Sequence, residues 1–364
     1  MSDESVLTDQ AQDAALVRAG QFAGHELTGM DLNGADCARA DLRGSALLAV
    51  TLAGANFANA DLSLAALQDC DLSAADLSNA TATRAKVLSC LLHGAVGHRA
   101  LLDDAVFSEC DLSNADLRRA SLARAVMNNC LASESRLGGA VLAHSALTGT
   151  GMSRAVLSRS NLTNASMTAV LLEHAVAAEA DFTGANIVDS NLTRITAPGS
   201  VFLNSVLAGI RAEYADLSRC DFSGATVSAT IFDRATLWGS ALTSSRFAGC
   251  SFEFADLRSI RAVGSDFTTV SFVGADLRGA HLHRCVLRDA DLYWADLTDC
   301  ELIDCDTAGA RFPEPVRVAY GPGSPAPPRV VPVPLYRVAA TDSEYGRMVS
   351  SGLDADSEPQ DTRR

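Results

Sequence analysis

The sequence predicts an all-β fold, a right-handed β-helix with short straight faces, and three observations lead to this prediction. A large apolar residue recurs at every fifth position from Phe22 to Phe312. A second column of small residues, mostly Ala, Ser, Cys or Thr, lies two positions before each large one. Aromatic residues make up only 5% of the 364 residues, so aliphatic side chains must fill the core.

The five-residue period fits neither an α-helix nor a long strand. On a helix, every fifth residue would be spread around the axis, and on a long strand successive members would point to opposite faces. The chain must therefore turn a corner in each five-residue unit and direct two side chains inward each time. No insertion or deletion shifts the series of 59 central positions, which run from 22 to 312 in steps of five. Nine central positions lack a large aliphatic residue or Phe: Cys37, Ala82, Gly97, Ala132, Ala177, Ala197, Ala212, Ala262 and Thr307.

Asp or Asn often lies between the small and the central residue, as in Ala75–Leu77, Ala115–Leu117 and Ala255–Leu257. These units resemble the pentapeptide-repeat family, whose A(D/N)LXX repeats form a four-sided, quadrilateral β-helix. The resemblance covers about residues 20–312. It implies four units per coil, hence about 15 coils and a rod of about 70 Å at the spacing of neighbouring strands.

The segments on either side of the repeats are expected to cover the two ends of the rod. Residues 1–19 predict a short helical cap, with Thr8 as its N-cap residue and Gly20 just past its end. Residues 313–364 contain nine of the ten prolines and predict an irregular, partly disordered tail. Within this tail, residues 330–338 could lay a strand over the open end of the rod.

Some units depart from the common pattern of large and small residues. Gly97 is expected to leave a void or a bend, because its small partner Ala95 does not compensate for the missing side chain. In three other units the large and small residues exchange columns, which keeps the inward volume constant. These pairs are Ile195 with Ala197, Ile210 with Ala212, and Ile260 with Ala262.

The charge and the hydropathy of the chain argue against some classes of binding partner and indicate where the protein is located. The formal net charge of −15 argues against a surface that binds nucleic acid or anionic membranes directly. The acidic N-terminus is unlike a secretory signal, and no run of 18 apolar residues predicts a membrane span. We therefore expect a cytoplasmic protein.

Nine of the ten cysteines fall in the small column, and Cys37 falls in the central one. At 20 residues per coil, Cys70, Cys90, Cys110 and Cys130 stack on successive coils, and Cys250 lies on the same line. A metal ladder or disulfide bonds would be one interpretation of this row. We favour the other, in which cysteine is a small buried residue interchangeable with Ala and Ser, because no CxxC motif occurs.

Catalytic motifs are absent from the sequence, so we predict no enzyme, no cofactor and no metal site. The only lysine is Lys86, and there is no GxSxG or HExxH motif. His281 and His283 project outward together, with Glu301 one coil later. A weak metal site and an exposed polar edge both explain this group, and we favour the polar edge. The frequent outward aspartates are expected to bind main-chain amides: Asp71, Asp111, Asp116, Asp216, Asp256, Asp276 and Asp296.

Two functions remain, and surface charge bears on both. The first is a noncatalytic binding or scaffold protein that presents flat faces to a protein partner or to a second copy in a homodimer. The second follows from the resemblance: some family members mimic DNA and bind type II topoisomerases such as DNA gyrase. We number the faces 1 to 4 by their central positions, at 22, 27, 32 and 37 plus multiples of 20. The outward residues of faces 1, 2, 3 and 4 carry net charges of −3, −4, −4 and 0. The acidic residues are therefore spread over three faces and do not form the single stripe that a DNA mimic would be expected to have.

One group of exterior residues on face 3 is the candidate partner interface. Tyr214, Phe254 and Trp294 are spaced by 40 residues, so they align two coils apart. Aromatic residues with a charged rim are typical of protein interfaces. Alternatively, the proline-rich tail covers these rings, or the rings only cover corners. We call the following residues the aromatic stripe: Tyr214, Phe254, Tyr293, Trp294, Glu213 and Glu253, with Asp233 between the two glutamates.

Overall fold

The computed structural model describes residues 21–313, and these form a four-sided parallel β-solenoid of about 14 turns. The predicted cap at residues 1–19 lies outside the described residues, as does all but the first residue of the predicted tail. Residues 21–313 contain no helix, and therefore none that is long and apolar enough to cross a membrane. The strands are β1 Glu26–Thr28, β2 Ala46–Leu48, β3 Ala66–Gln68, β4 Lys86–Leu88, β5 Val106–Ser108, β6 Val126–Asn128, β7 Ala146–Thr148, β8 Ser166–Thr168, β9 Asn186–Val188, β10 Val206–Ala208, β11 Thr226–Ser228, β12 Arg246–Ala248, β13 Arg261–Val263, β14 His281–His283 and β15 Glu301–Ile303.

Each turn of the solenoid takes 20 residues, which confirms four units per coil. Strand β1 pairs in parallel with β2, and Leu27 lies directly beside Leu47. The same register continues through twelve strands to β12 on face 2. Single-residue bridges join the other faces at the same interval, as between Asp41 and Asp61.

The five-residue unit is stabilised by one main-chain and one side-chain hydrogen bond at its corner. At most corners the carbonyl of the central residue accepts a bond from the amide three residues later, as from Ala35 to Leu32 at 3.0 Å. The aspartate before the central residue accepts a bond from the amide two residues after itself, as from Ser73 to Asp71 at 2.9 Å. All seven aspartates expected to bind main-chain amides do so, at 2.8–3.3 Å.

The corner that follows each three-residue strand is different. Within residues 21–313 it lacks the main-chain bond just described, so the amide there needs another acceptor. The side chain one coil later supplies it in several turns: Ser190 Oγ accepts from the Val170 amide at 3.0 Å, and Cys90 Sγ from the Cys70 amide at 3.4 Å. The strands move from face 2 to face 1 after β12, and this corner moves with them.

Both inward columns are buried and form one continuous core. Phe182, Phe202 and Phe222 stack along face 1 with ring centroids 4.8 and 4.7 Å apart. The three units with exchanged columns are fully packed, since all six of their residues are buried. All ten cysteines are buried and free, as expected.

The expected void at Gly97 is confirmed. An apolar cavity of about 40 Å³ is lined by Ala82, Gly97 and leucines of the neighbouring coils. The Leu117 side chain leans over Gly97, and its Cδ2 atom lies 2.8 Å from where a Cβ of residue 97 would be.

Candidate protein-binding surface

The aromatic stripe is built on the last residue of successive units, where the main chain has a positive φ. This slot holds Tyr214 at φ 59°, Phe254 at 56° and Trp294 at 62°. Non-glycine residues pay a steric cost in this left-handed region, but the repeat fixes it at almost every corner. Because the slot repeats every coil, its side chains leave the rod in one direction and stack along its axis.

Arginines alternate with the rings along this line. The Arg194 guanidinium lies 5.3 Å from the centre of the Tyr214 ring. Arg234 lies between the two rings, 5.8 Å from Tyr214 and 5.4 Å from Phe254. These distances are within the range of cation–π attraction, so the four side chains hold one another in place. Tyr214 and Phe254 nevertheless remain 50% and 48% exposed.

A glycine one coil later makes room for the Phe254 ring. A Cβ on Gly274 would lie 2.6 Å from both Cδ1 and Cε1 of Phe254. The ring therefore crosses the next coil directly over the bare main chain, and any side chain at residue 274 would displace it.

Trp294 occupies the same slot but is less exposed than Tyr214 and Phe254. It is half-buried and stacks on Tyr293 with ring centroids 4.6 Å apart. Arg311 lies 4.2 Å above the Tyr293 ring. The Trp294 Nε1 group is buried and has no hydrogen-bond partner among the described residues. Trp294 thus belongs partly to the packing of the last coils, whereas Tyr214 and Phe254 face solvent.

The carboxylates next to the rings, which belong to Glu213, Asp233 and Glu253, are bound to neighbouring groups of the rod. Glu213 forms an ion pair with Arg211 at 3.1 Å. Asp233 accepts a bond from the Glu253 amide at 3.0 Å, and Glu253 accepts one from the Ser271 hydroxyl at 3.1 Å. The carboxylates of these three acidic residues are therefore fixed in position.

The sequence reasoning missed the arginines of the stripe and a second aromatic site. Arg194 and Arg234 occupy the same position of the unit as the aromatic residues, and each lies 20 residues from the next ring. This spacing in the sequence would have been enough to predict that they lie between the rings. On face 4, Trp238 is exposed and lies 4.5 Å from the Arg219 guanidinium.

Two further observations concern the histidines and the cysteines, which the sequence analysis considered as possible metal ligands. His281, His283 and Glu301 do come together on adjacent strands. Burial raises the pKa of the Cys220 thiol to about 12, which suits a structural role rather than a reactive one.

The fold and the stripe define a repeat protein: a parallel β-solenoid with five-residue units and flat exterior faces. The pentapeptide-repeat family model matches repeatedly, over residues 47–87, 100–139, 135–173, 155–194, 200–239, 230–268 and 265–302. The chain belongs to the pentapeptide-repeat family.

Several solved structures are similar to this chain. Full-length QnrB1, a plasmid-mediated fluoroquinolone resistance protein, is 17% identical, over 79% of this chain and 93% of QnrB1, with a TM-score of 0.22. HetL, a pentapeptide repeat protein involved in heterocyst differentiation regulation from Nostoc sp. strain PCC 7120, is 20% identical, over 84% and 95% of the chains, with a TM-score of 0.15. The A-module of the Azotobacter vinelandii mannuronan C-5 epimerase AlgE4 is 12% identical, over 87% and 95%, with a TM-score of 0.24. No curated protein matches the chain in sequence.

Proposed function

We propose that this protein is a noncatalytic scaffold that binds a protein partner, or a second copy of itself, through the aromatic stripe on face 3. The observation that carries the proposal is the stack of Arg194, Tyr214, Arg234 and Phe254, in which the rings are half exposed yet held in place. Tyr and Arg are enriched among the residues that dominate binding energy at interfaces. A side chain that is already ordered loses little entropy on binding.

The rigid rod suits this role because it fixes the spacing of contact groups. The slots repeat at the strand separation of about 4.8 Å, and the parallel ladder prevents one coil from shifting against the next. A partner that matches the stripe would bury two aromatic faces and meet Glu213, Asp233 and Glu253 at the rim. Ten free buried thiols also fit a reducing compartment, and we propose a cytoplasmic location.

The test removes the two exposed rings without disturbing the corner. In the double variant Tyr214→Asn with Phe254→Asn, the new residue tolerates a positive φ, so the thermal unfolding temperature should change little. Association should weaken at least tenfold, measured by sedimentation velocity over a concentration series and by pull-down from an extract of the source cells. Leu64→Asn is the matched control, because Leu64 is exposed in the same slot at φ 62° on face 1. Loss of stability with unchanged association would refute the proposal.

The second candidate is a DNA mimic that binds a type II topoisomerase, and the formal net charge of −15 favours it, although the acidic residues are spread over faces 1 to 3 and form no single stripe. A DNA gyrase supercoiling assay distinguishes the two functions. For a scaffold, supercoiling and inhibitor sensitivity should stay unchanged when the protein is in large excess over the enzyme. Inhibition of supercoiling, or protection of gyrase from its inhibitors, would favour the mimic.

A further inference from the structure

Two histidines and one glutamate meet on face 1 near the C-terminal end of the described rod. His281 and His283 flank the buried Leu282 in β14, so both imidazoles project from the outer side of one strand. Glu301 lies directly beside His281 on the adjacent strand β15. This arrangement depends on the move of the strands to face 1, because the extended strand aims residues 281 and 283 in the same direction.

The three side chains converge on a single oxygen atom. His281 Nδ1 lies 2.7 Å from Glu301 Oε2, and His283 Nε2 lies 3.0 Å from the same oxygen. The ligand atoms all lie within 4.8 Å of one another.

We propose that His281, His283 and Glu301 bind a divalent first-row transition metal, with Zn²⁺ as the reference ion. Two imidazole nitrogens and one carboxylate oxygen form the kind of ligand set that zinc accepts in open sites. Bonds of about 2.0–2.1 Å in tetrahedral geometry place neighbouring ligand atoms about 3.3 Å apart. From 2.7 and 3.0 Å, the two nitrogen–oxygen distances would open by about 0.3–0.6 Å to reach that value. The two histidine nitrogens, which lie within 4.8 Å of each other, would close toward the same separation through side-chain rotation. Water or a partner's side chain would take the fourth position, since the three side chains are 34–46% exposed.

The alternative is the exposed polar edge, in which the histidines only hydrogen-bond the glutamate. Both interpretations use the same contacts. Only in a metal site does the removal of any one of the three side chains weaken the binding of an added cation. Arg261 lies one strand below His281, and its positive charge opposes a cation. Removing this charge should therefore strengthen metal binding, whereas a polar edge has no metal binding to strengthen.

The experiment is isothermal titration of the full-length chain, free of any histidine tag, with Zn²⁺. The wild type should bind one equivalent, and His283→Gln and Glu301→Gln should each weaken binding at least tenfold. Arg261→Ala should tighten it severalfold. His144→Gln is the control, because this exposed histidine lies outside the group, and it should bind as the wild type does. The thermal unfolding temperatures of the metal-free variants check that the exposed substitutions leave the rod folded.

Titration with Co²⁺ identifies the ligands directly. The expected complex shows weak visible d–d bands and no strong near-ultraviolet thiolate charge-transfer band. Such a charge-transfer band would assign the metal to cysteines and overturn the proposal. Absence of Zn²⁺ binding, or equal binding in the wild type and Glu301→Gln, would overturn it as well and support the polar edge.

Discussion

Single side chains in the small column serve different purposes at different corners. The Ser190 hydroxyl accepts a bond from the Val170 amide, whose corner lacks the main-chain bond. The Ser145 hydroxyl is buried without any partner among the described residues, and its own amide already donates to Leu142 at 3.1 Å. The same residue type therefore stabilises one corner and costs energy at the other.

We expect opposite effects from removing these two hydroxyl groups. Ser145→Ala should stabilise the rod by about 1 kcal/mol, because it removes an unpaired buried hydroxyl group. Ser190→Ala should destabilise it by about 1–3 kcal/mol, because it leaves the Val170 amide buried and unpaired. Urea unfolding of both variants measures the difference. Changes of the same sign would contradict this account of the corners.

At the scale of one coil, the cavity beside Gly97 marks where the repeat is underpacked. Ala82 lines this cavity and occupies a central position that holds leucine one coil before and after it, at Leu62 and Leu102. We expect Ala82→Leu to stabilise the rod by about 1–2 kcal/mol, since it fills space that is already empty. Thermal unfolding should show the increase.

The control for this substitution is Ala177→Leu, at the same kind of central position. Ala177 is fully buried and lines no cavity described in residues 21–313. Leucine there should overpack the core and destabilise it by about 1–3 kcal/mol. If both leucines destabilise the rod equally, the cavity does not matter for its stability.

The sequence was sufficient to predict the β-helix, its period and which residues face the core, because each of these depends only on position within the unit. The face that carries the strands was not predicted, although the sequence contains a signal for it. The small-column position after each of the fifteen strands never holds alanine; it holds Cys, Ser or Thr in eleven cases, and Met30, Val50, Val170 and Ile210 in the other four. This preference moves to residues 265, 285 and 305 when the strands move to face 1. Cysteine in the row from Cys70 to Cys130 is thus not simply interchangeable with alanine, because this corner benefits from a hydrogen-bonding side chain.

The candidate interface was predicted only in part, for a related reason. Spacing alone places Tyr214, Phe254 and Trp294 on one line, since every coil has the same length. It does not determine side-chain direction, which depends on neighbours one coil away. The contacts with Tyr293 draw Trp294 into the surface, and the two arginines brace the other rings.

Across the whole molecule, face 4 is neutral because it carries as many basic as acidic outward residues, and some of its arginines connect aspartates of successive coils. Arg258 contacts Asp256 at 2.7 Å and Asp276 at 3.6 Å, and Arg278 then contacts Asp276 at 2.6 Å. Each exposed pair contributes little to stability by itself. Their main effect is on the charge pattern, since the excess of acid is left on the other three faces.

Burial of the thiols gives the whole rod a predicted sensitivity to alkali. Burial raises the pKa of Cys37 and Cys250 to about 11 and that of Cys220 and Cys300 to about 12, from an ordinary value of 9.0. A raised pKa favours the folded state while the thiol stays neutral. The contribution is complete below pH 9 and is lost as the pH rises toward 11 or 12, by about 1.4 kcal/mol per pH unit for each thiol. The free energy of unfolding should therefore fall steeply above pH 9.

The double variant Cys220→Ala with Cys300→Ala tests the origin of this decline. Both residues follow corners that keep the main-chain bond, at 3.4 and 3.0 Å, so alanine leaves those amides paired. The variant should lose stability more slowly than the wild type between pH 9 and pH 11, measured by urea unfolding at several pH values under reducing conditions. Parallel pH profiles would show that other groups cause the alkaline loss, because the two substituted thiols would then contribute nothing to the slope.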